Sequence, residues 1–179
     1  NPSARIYLMW TNSWYDPALE EYAAQSLIEQ GCDVLAQQTD SSAPVITAEE
    51  RGVWTVGYNS DMRAEAPTKM LTSPVWDWGF YYKEVVGKIL EGSYRHGNYW
   101  EGLASGIVLL TPLSDKVPEE TRQIVHDYET RLFAGTFHPF QGPLHDQANR
   151  LRIPAERVMT DAELLSMDWF VDNVIMAVP

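Results

Sequence analysis

Four short segments of the sequence combine aromatic rings with amide, hydroxyl and carboxylate groups, and each follows an apolar run. They are TNSWYD at 11–16, QQTDSS at 37–42, YNSD at 58–61 and PVWDW at 74–78. An aromatic face stacks on a nucleobase for about 1 to 3 kcal/mol, and Asn or Gln can pair with an adenine-like edge. This combination favours binding of a flat, uncharged heterocycle. For each of Trp14, Trp76 and Trp78, packing between a loop and a helix is the alternative interpretation.

Groups that could perform catalysis or bind a metal form no recognisable motif. The sequence contains no Gly-x-Ser-x-Gly, no His-Glu-x-x-His, no P-loop and no Gly-x-Gly-x-x-Gly. The single cysteine, Cys32, excludes an intrachain disulfide and is interpreted as a small buried thiol. His138 and His145, near Asp146, leave a metal site open, but their spacing matches no specific pattern. We therefore expect a protein that is not an enzyme, with no catalytic residue, metal or cofactor.

Charge argues against a nucleic-acid partner. The formal net charge is -12 at pH 7, which repels a polyphosphate backbone. Acidic pairs such as Glu20-Glu21 and Glu49-Glu50 are expected on solvated helix faces.

The elements that must position the four polar segments follow the pattern of βαβ units, in which short apolar runs alternate with amphipathic stretches. Residues 6–10 are predicted to form a core strand, and Asp16-Pro17 to open a helix that ends near Gln30. The residues of this helix expected to face the sheet are Leu19, Tyr22, Ala23, Leu27 and Ile28. Ligands of open parallel sheets bind outside the carboxyl ends of the strands, where these segments would lie.

The rest of the chain continues the α/β pattern of a parallel-sheet lobe without an internal repeat or a linker, so residues 1–179 are expected to form one domain. Further strands are predicted at 34–36, 53–57, 70–73 and 106–110, and helices at 43–51, 77–90 and 118–134. A hairpin-like stretch at 136–153 precedes a final helix, which Thr160 and Glu163 would cap.

An ordered set of short motifs resembles the C-terminal half of binding proteins of the basic membrane protein family, which are purine-nucleoside-binding lipoproteins. The set comprises WYDP at 14–17, QGCDV at 30–34, GYNSD at 57–61 and LTSPV at 71–75. Two tail segments, HPFQGP at 138–143 and LLSMDWF at 164–170, are similar to one branch of the family. Each motif alone is weak, and the specificity comes from their order and spacing.

This resemblance implies the type I periplasmic-binding-protein (Rossmann-like) fold, in which two lobes close on a ligand by hinge bending. The chain would be the C-terminal lobe, and its partners would be its own N-terminal lobe, a small-molecule ligand and an ABC permease in the membrane. The location implied is periplasmic or at the cell surface. The first residues lack the features of a signal peptide, so we expect a signal and a lipid anchor upstream.

The resemblance also implies six ligand-binding positions. They are Trp14, Thr39, Asp40, Asn59, Asp61 and Trp76. Trp14 matches the aromatic ring placed against the base, while Asn59 stands where nucleoside-binding members use an acidic residue on the ribose, and Trp76 stands near their lysine. The last two changes remove polar sugar contacts, so a free adenine-like base is expected to fit better than a nucleoside.

Two other classes of function remain open at this point. Folds of this type also serve as sensory or regulatory ligand-binding modules, which an upstream helix-turn-helix or transmembrane sensor segment would indicate. An enzyme acting on nucleosides would have to show turnover of a purine compound.

Overall fold

The computed structural model describes residues 3–177, which contain short strands and five α-helices. The strands are β1 (Ile6–Leu8), β2 (Val34–Ala36), β3 (Trp54–Val56), β4 (Met70–Thr72), β5 (Pro74–Trp76), β6 (Val108–Leu110), β7 (Leu144–His145), β8 (Leu151–Ile153) and β9 (Val174–Met176). The helices are α1 (Pro17–Glu29), α2 (Ala43–Arg51), α3 (Trp78–Leu90), α4 (Glu119–Phe133) and α5 (Asp161–Leu165). No helix in this described range is both long and apolar enough to cross a membrane.

The helix ends follow local sequence signals. Asp16 accepts a hydrogen bond from the Leu19 N–H at 3.1 Å, and Pro17 occupies the first helical position of α1. Gly52 ends α2 with φ of 73°, a left-handed conformation in which glycine has no Cβ penalty. At α5 both hydrogen bonds of the Thr160 and Glu163 capping box are present. These predicted boundaries are confirmed.

The strands form several small sheets. In the three-stranded sheet β2, β3 and β4 run parallel, and α2 connects β2 with β3. β1 pairs in parallel with β9, whereas β5 with β6 and β7 with β8 are antiparallel pairs. The core lies beside the three-stranded sheet, in two clusters of buried side chains. One contains Val45, Met62, Ala66 and Met70, and the other contains Ala24, Leu35 and Ala48. The α/β class with parallel strands is confirmed.

Three strand predictions are corrected. The predicted core strand at 6–10 is shorter and half-exposed: Ile6 is 51% and Trp10 60% exposed. Among residues 3–177, β9 is the one strand that pairs with β1, so the other edge of β1 is uncovered by a strand of this range. Residues 74–76 form β5 instead of a loop, and Pro74 is tolerated at the first position of a strand. The chain also continues past the predicted final helix into β9, a three-residue run too short to show a periodicity.

The buried face of α1 differs from the prediction. Leu19 and Tyr22 are exposed, whereas Glu20 and Ala24 are buried. The other three predicted residues are confirmed, since Ala23 is buried and Leu27 and Ile28 pack against the core cluster of Ala24. Small side chains on this face let α1 pack closely on α2. The buried positions 20, 23 and 24 have the spacing of a single helix face.

Candidate functional site

Two of the predicted polar segments meet at the carboxyl ends of β1 and β2. We call residues 11–16 the Trp14 loop and residues 37–42 the Thr39 loop. The backbone N–H of Asp40 donates to the carbonyl oxygen of Trp14 at 2.9 Å, which joins the loops directly. Their neighbouring positions agree with the prediction that polar groups gather at the strand ends.

The Thr39 loop is shaped by the side chain of Gln37. Its Nε2 donates to the carbonyl oxygens of Thr39 at 2.8 Å and Ser41 at 2.7 Å. This orientation of the amide is determined, since the opposite one would place its oxygen against two carbonyl oxygens. The Gln37 Oε1 is buried and has no hydrogen-bond partner among residues 3–177. The Gln37 amide therefore stabilises the turn at residues 39–41 through its two donated hydrogen bonds.

A cavity of about 610 Å³ lies beneath the two loops. Its apolar lining comes from the ends of β1 and β2 and from one face of α1, namely Leu8, Met9, Ala23, Ala24, Leu27, Leu35 and Ala36. Trp10, Asn12, Trp14, Gln38 and Thr39 contribute its polar and aromatic lining. Trp14 is 73% exposed as a residue, so its ring is available for stacking. Thr39 is half-buried and Asp40 is exposed.

Electrostatically, the cavity suits an uncharged ligand. Glu20 is the one charged residue in its lining within the described part of the chain, and its carboxylate is already hydrogen-bonded. A single carboxylate supplies too few ligands for a metal ion. Hydroxyl, amide and indole groups can instead bind a neutral polar molecule.

Asn59 and Trp76 form a second group that does not line this cavity. Asn59 follows β3 with φ of 66°, a conformation that Asn tolerates better than most residues, and its backbone bridges Val75. The Trp76 ring packs edge to face on Tyr58, with centroids 5.3 Å apart. Trp76 is half-buried and Asn59 is exposed. The packing interpretation of Trp76 therefore has direct support.

Asp61 is engaged within its own loop. Its carboxylate accepts hydrogen bonds from the Arg63 Nε at 3.0 and 3.1 Å. The Arg63 guanidinium lowers the pKa of Asp61, so the group stays ionised as half of a local ion pair. A ligand reaching Asp61 would have to compete with this arginine.

The prediction made from the sequence is wrong for Glu20. It was expected on a solvated face, but it is 1% exposed and lines the cavity. The signal that could have identified it is helical spacing, because Glu20 stands three, four and seven positions before Ala23, Ala24 and Leu27. Its neighbour Glu21 is exposed, as predicted.

Comparison with known proteins identifies relatives over almost the whole chain. A purine-binding protein of Brucella abortus (strain 2308) is 36% identical over 174 residues, which cover 97% of this chain and 49% of that protein. A protein of Haloferax volcanii that is named for glucose binding is 37% identical over 132 residues, which cover 74% of this chain and 34% of that protein.

Solved structures share the fold. The crystal structure of a transcriptional activator of the comK gene from Bacillus halodurans superposes with a TM-score of 0.64 and 25% identity, over 73% of this chain and 47% of that one. The chain thus spans less than half the length of each of these proteins. The family model of PnrA-like ABC transporter substrate-binding proteins matches residues 1–132. This chain belongs to that family of substrate-binding proteins, and it shares the α/β periplasmic-binding fold of solved ABC solute-binding proteins.

Proposed function

We propose that this chain forms one lobe of a two-lobed substrate-binding protein of an ABC transporter, and that the ligand is a purine-type base. The observation that carries the proposal is the exposed Trp14 ring beside a cavity that contains amide and hydroxyl groups and no cationic side chain within the described residues. Stacking on that ring and hydrogen bonds to the base edge would bind the ligand without turnover.

The other five predicted ligand-binding positions differ in their distance from the cavity. Thr39 lines the cavity together with Trp14 and would contact the ligand from the second loop. Asp40 adjoins Trp14 through its backbone N–H but is not part of the cavity lining, so it would meet the ligand only at the edge of the cavity. Asn59, Asp61 and Trp76 lie beyond the cavity lining and would meet the ligand only where it extends from the cavity. The absence of an acidic group at Asn59 and of a lysine at Trp76 supports a base over a nucleoside.

Calorimetry on the protein carrying both proposed lobes tests the ligand class. Adenine, adenosine and glucose are titrated separately, since one relative is named for purine binding and another for glucose binding. We expect adenine to bind most tightly. Much tighter binding of adenosine would contradict the preference for a base, and binding of glucose alone would overturn the purine proposal.

The proposed partners are a membrane permease and the other lobe, with the protein acting outside the cytoplasm as its family does. A lipid anchor upstream of this chain is part of the same proposal. Labelling of the cellular protein with a radioactive fatty acid, followed by fractionation, tests it. Unlabelled protein in the cytoplasmic fraction would contradict both the anchor and the location.

A regulatory ligand-binding module is the second candidate, because the superposed structure is that of a transcriptional activator. Deletion of the gene separates the two functions. Loss of purine uptake with unchanged transcription supports transport, whereas altered transcription with normal uptake supports regulation.

A further inference from the structure

Glu20 is a buried carboxylate to which the proposed function assigns no role. It lies in the first turn of α1, it is 1% exposed, and it is the largest of the fully buried side chains in the described chain. None of the ion pairs found within residues 3–177 includes it. A buried charge without a cationic partner is unfavourable unless hydrogen bonds compensate the lost hydration.

Two hydrogen bonds supply that compensation, and they come from different loops. Oε1 accepts from the backbone N–H of Asp16 at 2.8 Å, at the end of the Trp14 loop. Oε2 accepts from the Ser41 hydroxyl at 2.6 Å, in the Thr39 loop. Ser41 is itself 6% exposed, so neither partner of this second bond can readily exchange it for water. Hydrogen bonds to a charged acceptor are stronger than those between neutral groups.

The two bonds of Glu20 lie beneath the direct contact between the loops, in which the Asp40 N–H donates to the Trp14 carbonyl oxygen. Asp40 directly precedes Ser41, and Trp14 stands two residues before Asp16. Displacement of Ser41 or Asp16 would therefore alter the separation of the groups expected to contact the ligand. Glu20 also lines the cavity, so the link is made within the site.

We propose that Glu20 is a positioning residue, whose carboxylate holds the Trp14 loop and the Thr39 loop in the arrangement that ligand binding requires. Its role is to connect the loops through Asp16 and Ser41, and contact with the ligand is not needed. The effect on affinity rests on the proposed function, whereas the effect on loop geometry does not.

The test compares four variants of the protein that carries both proposed lobes. Glu20→Leu removes both hydrogen bonds at similar volume, and Ser41→Ala removes one of them. Glu20→Gln retains the acceptor for the Asp16 N–H and can donate to the Ser41 oxygen, since a hydroxyl both donates and accepts. Glu21→Leu is the matched control, because Glu21 is the exposed neighbour on the same helix.

Adenine affinity and amide exchange are measured for each variant. We expect Glu20→Leu to weaken adenine binding about tenfold or more, because loss of the bonds to Asp16 and Ser41 releases the two loops from their arrangement, and to accelerate exchange of the Asp40 N–H. Ser41→Ala should show a smaller change in the same direction, and it serves as the test if Glu20→Leu does not fold. Glu20→Gln should stay within about threefold of the parent, and Glu21→Leu should equal it.

The exchange of the Thr55 N–H, which donates to the Lys69 carbonyl oxygen in the sheet, separates a positioning role from a general loss of stability. Faster exchange at Asp40 with unchanged exchange at Thr55 supports the proposal. The proposal would be overturned if Glu20→Leu destabilised the protein but left adenine affinity and Asp40 exchange unchanged. It would also be overturned if Glu20→Gln lost as much adenine affinity as Glu20→Leu. If the parent binds no purine, the proposed function fails, while Asp40 exchange still decides the role of Glu20.

Discussion

At the scale of single residues, exposure separates tryptophans that look equivalent in the sequence. Trp14 is 73% exposed, whereas Trp76 is half-buried and packs against the Tyr58 ring. Ring exposure is a prerequisite for stacking on a ligand, since a ring already covered by protein offers no free face. Trp14 is therefore the stronger candidate for the ligand contact.

Replacement of Trp14 by alanine is expected to weaken adenine binding by about 1 to 3 kcal/mol, or roughly 5- to 150-fold, because a stacking surface is lost. The free energy of unfolding should change by less than about 0.5 kcal/mol, since the side chain is mostly exposed. Calorimetry and urea denaturation measure the two quantities. Trp100→Ala is the control, as Trp100 is 57% exposed and outside the cavity lining. Unchanged adenine affinity in Trp14→Ala would assign Trp14 a packing role only.

At the scale of elements, the segment at residues 57–61, which follows β3 and contains Asn59, depends on a close approach to Ser73, the residue that joins β4 to β5. A Cβ added at Gly57 would lie 2.3 Å from the Ser73 Oγ and 3.3 Å from its Cβ. Ser73 is completely buried, so its side chain cannot move into solvent. Glycine at 57 is thus a packing requirement of the segment that presents Asn59.

Gly57→Ala is expected to destabilise the protein by about 1 to 3 kcal/mol through overpacking. Adding Ser73→Ala removes the closest atom, so the double variant should lose less stability than the sum of the single changes. Urea denaturation of the single and double variants gives the coupling free energy between positions 57 and 73. Gly87→Ala in α3 is the control: its new Cβ meets nothing within 4 Å, and it should stabilise the helix. Strictly additive effects at 57 and 73 would show that the close contact is not the cause.

At the largest scale, the hairpin of β7 and β8 is organised around the buried carboxylate of Asp146. Burial alone would raise the pKa of Asp146, but hydrogen bonds from Arg150, the Ala148 N–H and Arg152 outweigh it and lower the pKa to about 2. A backbone bridge to Val171 connects this site with the segment that leads into β9. A metal site at His138 and His145 would have needed the Asp146 carboxylate as a ligand. That carboxylate instead forms ion pairs with Arg150 and Arg152.

The stability of the molecule in acid should depend on this group. Because the folded pKa lies below the unfolded value of 3.8, the ionised Asp146 stabilises the fold above about pH 4, and the contribution is lost as the pH falls to about 2. Asp146→Asn should therefore be less stable than the parent at pH 6, and the difference should shrink between pH 4 and pH 2. Urea denaturation across this range measures it. A difference that stays constant with pH would exclude ionisation of Asp146 as its source.

Features that depend on neighbours within a few positions can be predicted from the amino-acid order. The start of α1 at Asp16 and Pro17, the end of α2 at Gly52 and the capping box at Thr160 and Glu163 are all found as predicted. Caps and turns are made by groups three or four residues apart, so local residue types suffice to specify them. The order of motifs was likewise sufficient to identify the family.

Which surfaces are covered and which distant segments pair became known from the packed fold. Glu20 and Glu21 are identical in type and adjacent, yet one is buried because α1 turns that face toward α2 and the cavity. β1 pairs with β9 across nearly the full length of the chain, and β5 turns antiparallel to β6. Burial and pairing depend on the surface presented by a remote element. The sequence therefore placed Trp14 and Thr39 at strand ends, but the link between their loops through Glu20 emerged only from the packed molecule.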